Sequence, residues 1–209
     1  MCRRAVLFFG MGVLPDFTRT GVCSYDQYGK ASHQQKQSVP ARATSHSHIN
    51  YYIDVTTQKA RLSEAKAVAK ELVAAYQHST IVDTVLCLDG TQVIGTCLAN
   101  ELTKDGFANM NAHQTIYVIP PEYTSGSQII LRDNLAPMVK GKHVLILSAS
   151  ITTGYTVQAA IEAVNYYGGT VAGLSAIFAT THECLGIPVT SIFDPSSLPD
   201  YASFDSRDC

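Results

Sequence analysis

Between Val144 and Leu147, four apolar residues lead into Ser148-Ala149-Ser150-Ile151-Thr152-Thr153-Gly154-Tyr155-Thr156, a run dense in hydroxyls that opens onto an apolar-periodic stretch. A strand that delivers such a loop to a helix start builds an anion site, because unpaired backbone N–H groups and the positive end of the helix dipole converge there. Thr152, Thr153 and Thr156 add side-chain donors, Ser148, Ser150 and Tyr155 complete the candidate set, and Gly154 lets the backbone curl closely around a phosphate. The same Ser and Thr residues would also serve as ordinary helix caps.

A second candidate is Leu88-Asp89-Gly90-Thr91, where an apolar run breaks at a turn-forming pair. Asp89 there either positions a magnesium-bound phosphate or starts a turn with Gly90. His46 and His48 alternate and offer two metal ligands without a third. Asp194, Asp200 and Tyr201 follow the last apolar run and could border a ligand pocket or form a plain tail.

The elements that position these loops alternate. Ile49 to Val55 is β-prone, and Thr56-Thr57 are placed to cap a following helix with Leu62, Ala65, Ala69, Leu72, Val73 and Tyr76 on one face. Ile81 to Leu88 reads as a strand, Ile94 to Leu102 as a helix, Gln114 to Ile119 as a strand stopped by Pro120-Pro121, and Ile129 to Leu131 as a short apolar run. Val144 to Leu147 is the third full strand, and Ser148 to Tyr155 is its loop. Val157, Ala160, Ile161 and Val164 give the next helix its apolar face, closed by Gly168-Gly169; strands at Thr170 to Phe178 and Ile187 to Phe193 follow. Strands alternating with helices predict an α/β fold with a mostly parallel central sheet, and ligands then bind at the carboxyl ends of its strands. Residues 1–45 carry no sustained period and read as loosely packed, 46–195 as the α/β domain, and 196–209 as a tail.

Val-Leu-Ile-Leu-x-x-x-Ile-Thr-Thr-Gly-x-Thr, at Val144 to Thr156, resembles the phosphoribosyl-pyrophosphate signature of the type I phosphoribosyltransferases. The likeness extends less specifically from about Asn50 to Phe193, and Tyr51-Tyr52-Ile53-Asp54 before a long helix looks most like the orotate branch. The resemblance implies the fold of that family with a small N-terminal hood, a homodimer, and a role in pyrimidine nucleotide synthesis by transfer of phosphoribose to a base such as orotate. It places the 5′-phosphate at Thr152 to Thr156, the pyrophosphate at Leu88 to Thr91, and Mg2+ on the substrate diphosphate. The signature's two adjacent acidic residues, which grip the ribose hydroxyls, are replaced by Ser148 and Ala149. Glu122 to Gln128, where the orotate enzymes carry cations, has no Lys or Arg, although Arg132 and Lys140 lie further on. These departures keep open a second reading, a nucleotide or sugar-phosphate sensor without turnover. If the resemblance holds, restoring Asp at both 148 and 149 strengthens binding of ribose 5-phosphate.

Bulk properties narrow the partners. Fifteen Lys and Arg against 17 Asp and Glu give a net charge of −2, so no global field attracts nucleic acid or an anionic membrane, and any anion must be held by local geometry. The six cysteines show no C-x-x-C pair, and Cys87 and Cys97 lie in apolar runs, which reads as reduced thiols in a cytoplasmic protein. Cys2-Arg3-Arg4 followed by Ala5 to Leu14 imitates the start of a secretory signal, but this apolar run and every other fall short of the ~20 residues that span a bilayer.

Overall fold

Continuous burial along the central strands and one-sided burial along helices assemble the larger of two units into which the chain divides. The computed structural model describes residues 3–6, 41–44, 47–49, 51–106, 108–112, 114–125, 128–198, 201 and 203–205. One unit is Met1–Val55 with Pro195–Cys209, the other Thr56–Asp194. In chain order the elements begin with β1 (Arg3–Val6), β2 (Ala41–Thr44), β3 (Ser47–Ile49), β4 (Tyr51–Asp54), α1 (Thr56–Ala60), α2 (Leu62–Val73), β5 (Thr84–Cys87) and α3 (Gln92–Leu102). They continue with β6 (Tyr117–Ile119), β7 (Glu122–Tyr123), β8 (Ile129–Ile130), β9 (His143–Ile151), α4 (Tyr155–Tyr166), β10 (Thr170–Ala179), β11 (Glu183–Cys184), β12 (Ile187–Phe193) and β13 (Ser203–Asp205).

In the smaller unit β1 pairs in parallel with β4, and β3 lies between β2 and β13 in an antiparallel sheet. The described part of residues 1–45 is β1 and β2, and His48 lies in β3; His46, Asp200 and most of Lys30 to Ser47 fall outside the described residues.

The larger unit holds a six-stranded sheet in the order β11-β12-β10-β9-β5-β6, parallel throughout except for β11 at the edge. Both faces are covered, as a parallel sheet requires. Leu86, Leu88, Val144 and Ile146 join Val157, Ala160, Ile161 and Val164 of α4 in one core layer. Val85 and Cys87 point the other way, and there α3 comes so close that a Cβ on Gly95 would run into Cys87 Sγ and crowd Val118 and Val85. Helix α2 packs on α3 through a face that buries Ala65, Val68, Ala69 and Leu72. Each large apolar side chain so enclosed contributes about 1.5–3 kcal/mol relative to exposure.

The predicted α/β class and parallel sheet are what the structure has, with local corrections. Thr56 opens a short helix of its own rather than capping the long one; Arg61, extended at φ −95° and ψ 120°, separates α1 from α2. The strand predicted at Ile81 to Leu88 is confined to β5, and ahead of it Val82 N–H donates to the Asn111 side chain rather than to a neighbouring strand. The expected loop from Ser148 to Tyr155 is a strand as far as Ile151. There β10 continues beside it, pairing Ala176 with Ser148, Phe178 with Ser150 and Ala179 with Ile151, and the buried Ala149 and Ile151 keep the ladder's polar groups paired out of water. Only Thr152 to Gly154 remain as the turn into α4.

This topology fixes where a ligand can sit. The successor of β5 in the sheet, β6, lies on one side of it, while β9 lies on the other and is followed outward by β10 and β12. Connections therefore diverge at the β5/β9 border, and the crevice beyond the carboxyl ends of those two strands is the switch point at which open parallel sheets bind ligands.

Candidate functional site

The residues that follow β5 and β9 meet at this crevice. Cys87 is in register with Leu147, and Leu88 N–H donates to the Leu147 carbonyl at 2.8 Å, so Leu88 is a buried extension of the ladder. The chain then reverses through Asp89 (φ 53°) and Gly90 (φ 77°), two consecutive left-handed residues. Asp tolerates that region better than most side chains. Thr91 locks the reversal from beneath: it is buried, and its hydroxyl donates to the carbonyls of Leu88 at 2.8 Å and Leu147 at 3.1 Å. Leu88 and Thr91 thus shape the loop from inside, whereas Asp89 and Gly90 are exposed.

The Asp89 carboxylate turns onto the end of β9. Ser148 Oγ donates to Asp89 Oδ2 at 2.6 Å, and the Ala149 N–H lies 3.4 Å from the same oxygen. Ser148 Oγ is also 3.1 Å from the Ser150 carbonyl, and the Ser150 side chain faces solvent. The two predicted loops are one structure, joined by a carboxylate.

Beyond β9 the turn runs Thr152-Thr153-Gly154 and opens α4. Gly154 is the N-cap residue at φ 78°, and no side chain caps the helix, so the reading of this Ser/Thr run as an ordinary cap does not describe it. Thr153, Tyr155 and Thr156 are exposed around the helix start and Thr152 is half-buried. The turn is held from its far side: Thr180 N–H donates to the Ile151 carbonyl at 2.9 Å and Thr180 Oγ1 to the Thr152 carbonyl at 2.7 Å. Its hydroxyls and helix dipole suit a dianion at the mouth of the crevice.

Two residues at the crevice carry no signal in the sequence. Lys59, in α1, donates from Nζ to the Asp89 carbonyl at 2.9 Å across 30 positions, which brings a cation to the loop. Tyr123, in the β7–β8 hairpin, lies against the same loop; burial pushes its phenol up, and the Asp89 charge adds to this against a hydrogen bond to the Asp89 backbone. Tyr123 is uncharged in a segment without Lys or Arg and so is not marked by charge, and only the fold places Lys59.

The other candidates are placed elsewhere or are engaged. Arg132 is ion-paired with Glu122. Lys140 precedes β9, at the amino end of the sheet and opposite the crevice. Asp194 follows β12 at the carboxyl edge, while Tyr201 belongs to the smaller unit. Burial pushes the Cys87 thiol up to about 12 and raises Cys97 as well, so both stay protonated in the core, where they behave as small apolar groups. Among the described residues no three His, Cys, Asp or Glu side chains cluster as metal ligands, and no helix is long and apolar enough to cross a membrane.

No protein-family model matches the sequence, and no curated protein sequence matches it. Solved structures do. The UMP synthase of Leishmania donovani matches over 69% of this chain and 30% of its own at 20% identity, with a TM-score of 0.50. The adenine phosphoribosyltransferase of the same organism matches over 70% and 71% at 16% identity, also with a TM-score of 0.50. So does the adenine phosphoribosyltransferase of Trypanosoma brucei, solved with AMP, pyrophosphate and ribose-5-phosphate, over 70% and 71% at 16% identity and a TM-score of 0.50. The match thus spans less than a third of the UMP synthase chain. A six-stranded, mostly parallel sheet flanked by helices, together with these neighbours, gives this chain the α/β fold of the type I phosphoribosyltransferases.

Proposed function

We propose that this protein binds 5-phosphoribosyl 1-diphosphate at the β5/β9 crevice and transfers its phosphoribosyl group to a nitrogenous base, orotate being the first candidate. The observation that carries the reading is the junction of the Asp89 loop with the Thr152–Thr156 turn through the Ser148–Asp89 hydrogen bond, at the switch point of a phosphoribosyltransferase-type sheet. In this reading Thr152, Thr153, Gly154, Tyr155 and Thr156 hold the 5′-phosphate, and the Asp89-Gly90 turn faces the diphosphate with Lys59 behind it. In the transfer the bond from ribose C1 to the diphosphate oxygen breaks, diphosphate leaves with the electron pair, and the base nitrogen forms the new bond and gives up its proton to the diphosphate or to solvent. Positive charge grows on the ribose and negative charge on the leaving group, so an ammonium at the loop and a carboxylate near the sugar each lie where they stabilise that separation.

Magnesium fits this donor set. It favours substrate phosphates and water with few protein ligands, and the exposed Asp89-Gly90 turn leaves the diphosphate end of the crevice open to a hydrated ion. When bound with the substrate it would neutralise charge on the diphosphate. The chain is expected to act as a homodimer in the cytoplasm, with a small molecule as its ligand.

A second reading, a sensor that keeps the phosphate cradle without turnover, is favoured by the ion pair that ties Arg132 to Glu122 beside a loop segment with no other Lys or Arg. Calorimetry with 5-phosphoribosyl 1-diphosphate, with and without magnesium, followed by a diphosphate-release assay over a panel of bases including orotate and adenine, separates the two. Binding with base-dependent release supports the transferase; binding with no release from any base supports the sensor; no binding removes both.

A further inference from the structure

The geometry points to Asp89 as the acceptor of the ribose hydroxyls, a carboxylate supplied from the neighbouring strand's loop in place of the acidic pair that Ser148 and Ala149 replace. This rests on the phosphoribosyl reading of the crevice and deepens it. The two groups that bind the Asp89 carboxylate are the side chain of Ser148 and the backbone N–H of Ala149, so a negative charge stands at those two positions although neither residue carries one. Both contacts fall on Oδ2. Oδ1 has no partner among the described residues, and Asp89 is exposed to the crevice. An ionised carboxylate has about four lone-pair sites, so two contacts leave room for two hydroxyl donors.

The loop is built to hold that aim. Thr91 anchors it beneath, Lys59 holds the Asp89 carbonyl, and Ser148 fixes the carboxylate itself, leaving little side-chain freedom to lose on binding. A hydroxyl bound to a charged acceptor is held more strongly than one bound to a neutral acceptor, so the charge of Asp89 sets the preference for a sugar over a bare phosphate.

The test is calorimetry on the wild-type protein, Asp89→Asn and Ser148→Ala, with ribose 5-phosphate, 2-deoxyribose 5-phosphate and inorganic phosphate, each in magnesium and in EDTA. Asn adopts the left-handed conformation of residue 89 readily, and melting curves check folding. The expected result is that Asp89→Asn weakens ribose 5-phosphate roughly ten- to a hundred-fold in both buffers. The loss should be smaller for the deoxy sugar, and phosphate binding should be unchanged. Ser148→Ala, which releases the aim without removing the charge, should weaken ribose 5-phosphate by a few-fold; it carries the test if Asp89→Asn does not fold. Ribose 5-phosphate bound equally by wild type and both variants overturns the inference while leaving the phosphate cradle in place. A loss seen only in magnesium also overturns it, since Asp89 would then act through the metal. Failure of the wild type to bind any of the three ligands removes the reading of the crevice itself, and this inference with it.

Discussion

Replacing Ser148 by Asp is the sharpest probe of how charge is distributed at the crevice. The sequence predicts that Asp at both 148 and 149 strengthens binding of ribose 5-phosphate, because together they restore the acidic pair of the signature that this segment resembles. For the stability of the protein without ligand the structure adds a cost, for Ser148 Oγ lies 2.6 Å from Asp89 Oδ2 and the new carboxylate would face one already there. With the two groups relaxed to ~4 Å, Coulomb repulsion at an effective dielectric constant near 20 is about 4 kcal/mol. Asp89 is exposed, so solvent screening brings the expected loss of stability to about 1–2 kcal/mol, besides the hydrogen bond that Ser148 no longer donates. Such a pair holds a proton more tightly than either acid alone, so one folded-state pKa rises above the unfolded value of about 3.9. The folded state then binds more protons than the unfolded one between those two values, and the deficit relative to wild type shrinks as pH falls through the raised pKa. Urea unfolding of Ser148→Asp and wild type across pH measures this difference directly. The double variant Asp89→Asn with Ser148→Asp moves the charge without doubling it, and should recover most of the lost stability. A Ser148→Asp protein as stable as wild type at neutral pH, with no pH-dependent difference, would show that the Asp89 carboxylate does not sit on position 148.

Lys59→Met should weaken a diphosphate-bearing ligand roughly ten-fold by removing one charge-assisted contact, and should leave ribose 5-phosphate almost unchanged; equal losses for both, by calorimetry, would refute its placement at the diphosphate end. Gly154→Ala should cost about 1–2 kcal/mol, since a Cβ at φ 78° is strained while its nearest neighbour, Cys184 Sγ at 3.6 Å, is in ordinary contact. A melting temperature equal to wild type would deny the left-handed turn. Although burial pushes the Asp83 carboxyl up, hydrogen bonds from the His143 backbone and ring and the nearby Lys142 charge hold it below its ordinary value. Its contribution to stability is therefore present above the unfolded pKa and lost as pH falls through the lowered one, so Asp83→Asn should destabilise at neutral pH and flatten the acid limb of the stability profile; an unchanged acid limb would contradict this.

The sequence determined what can be read over short distances. Apolar runs and helical periodicity located the strands and helices of the larger unit, because burial on a parallel sheet and against a helix face leaves a local pattern. The Thr152–Thr156 turn was legible for the same reason, as strand, turn and helix start are contiguous. Tertiary structure decided the rest. Ser148 to Ile151 became strand because β10 runs alongside, a fact about a neighbour 28 positions away in sequence by the register of Ala176 with Ser148. Asp89 looked like either a turn former or a metal-phosphate contact until parallel pairing of β5 with β9 set it against Ser148, 59 positions on. Lys59 reached the same loop from a helix with no motif of its own. A charged group's role depends on what stands within a few ångströms of it, and in a parallel sheet those neighbours come from strands separated by whole crossovers, so no local pattern records them.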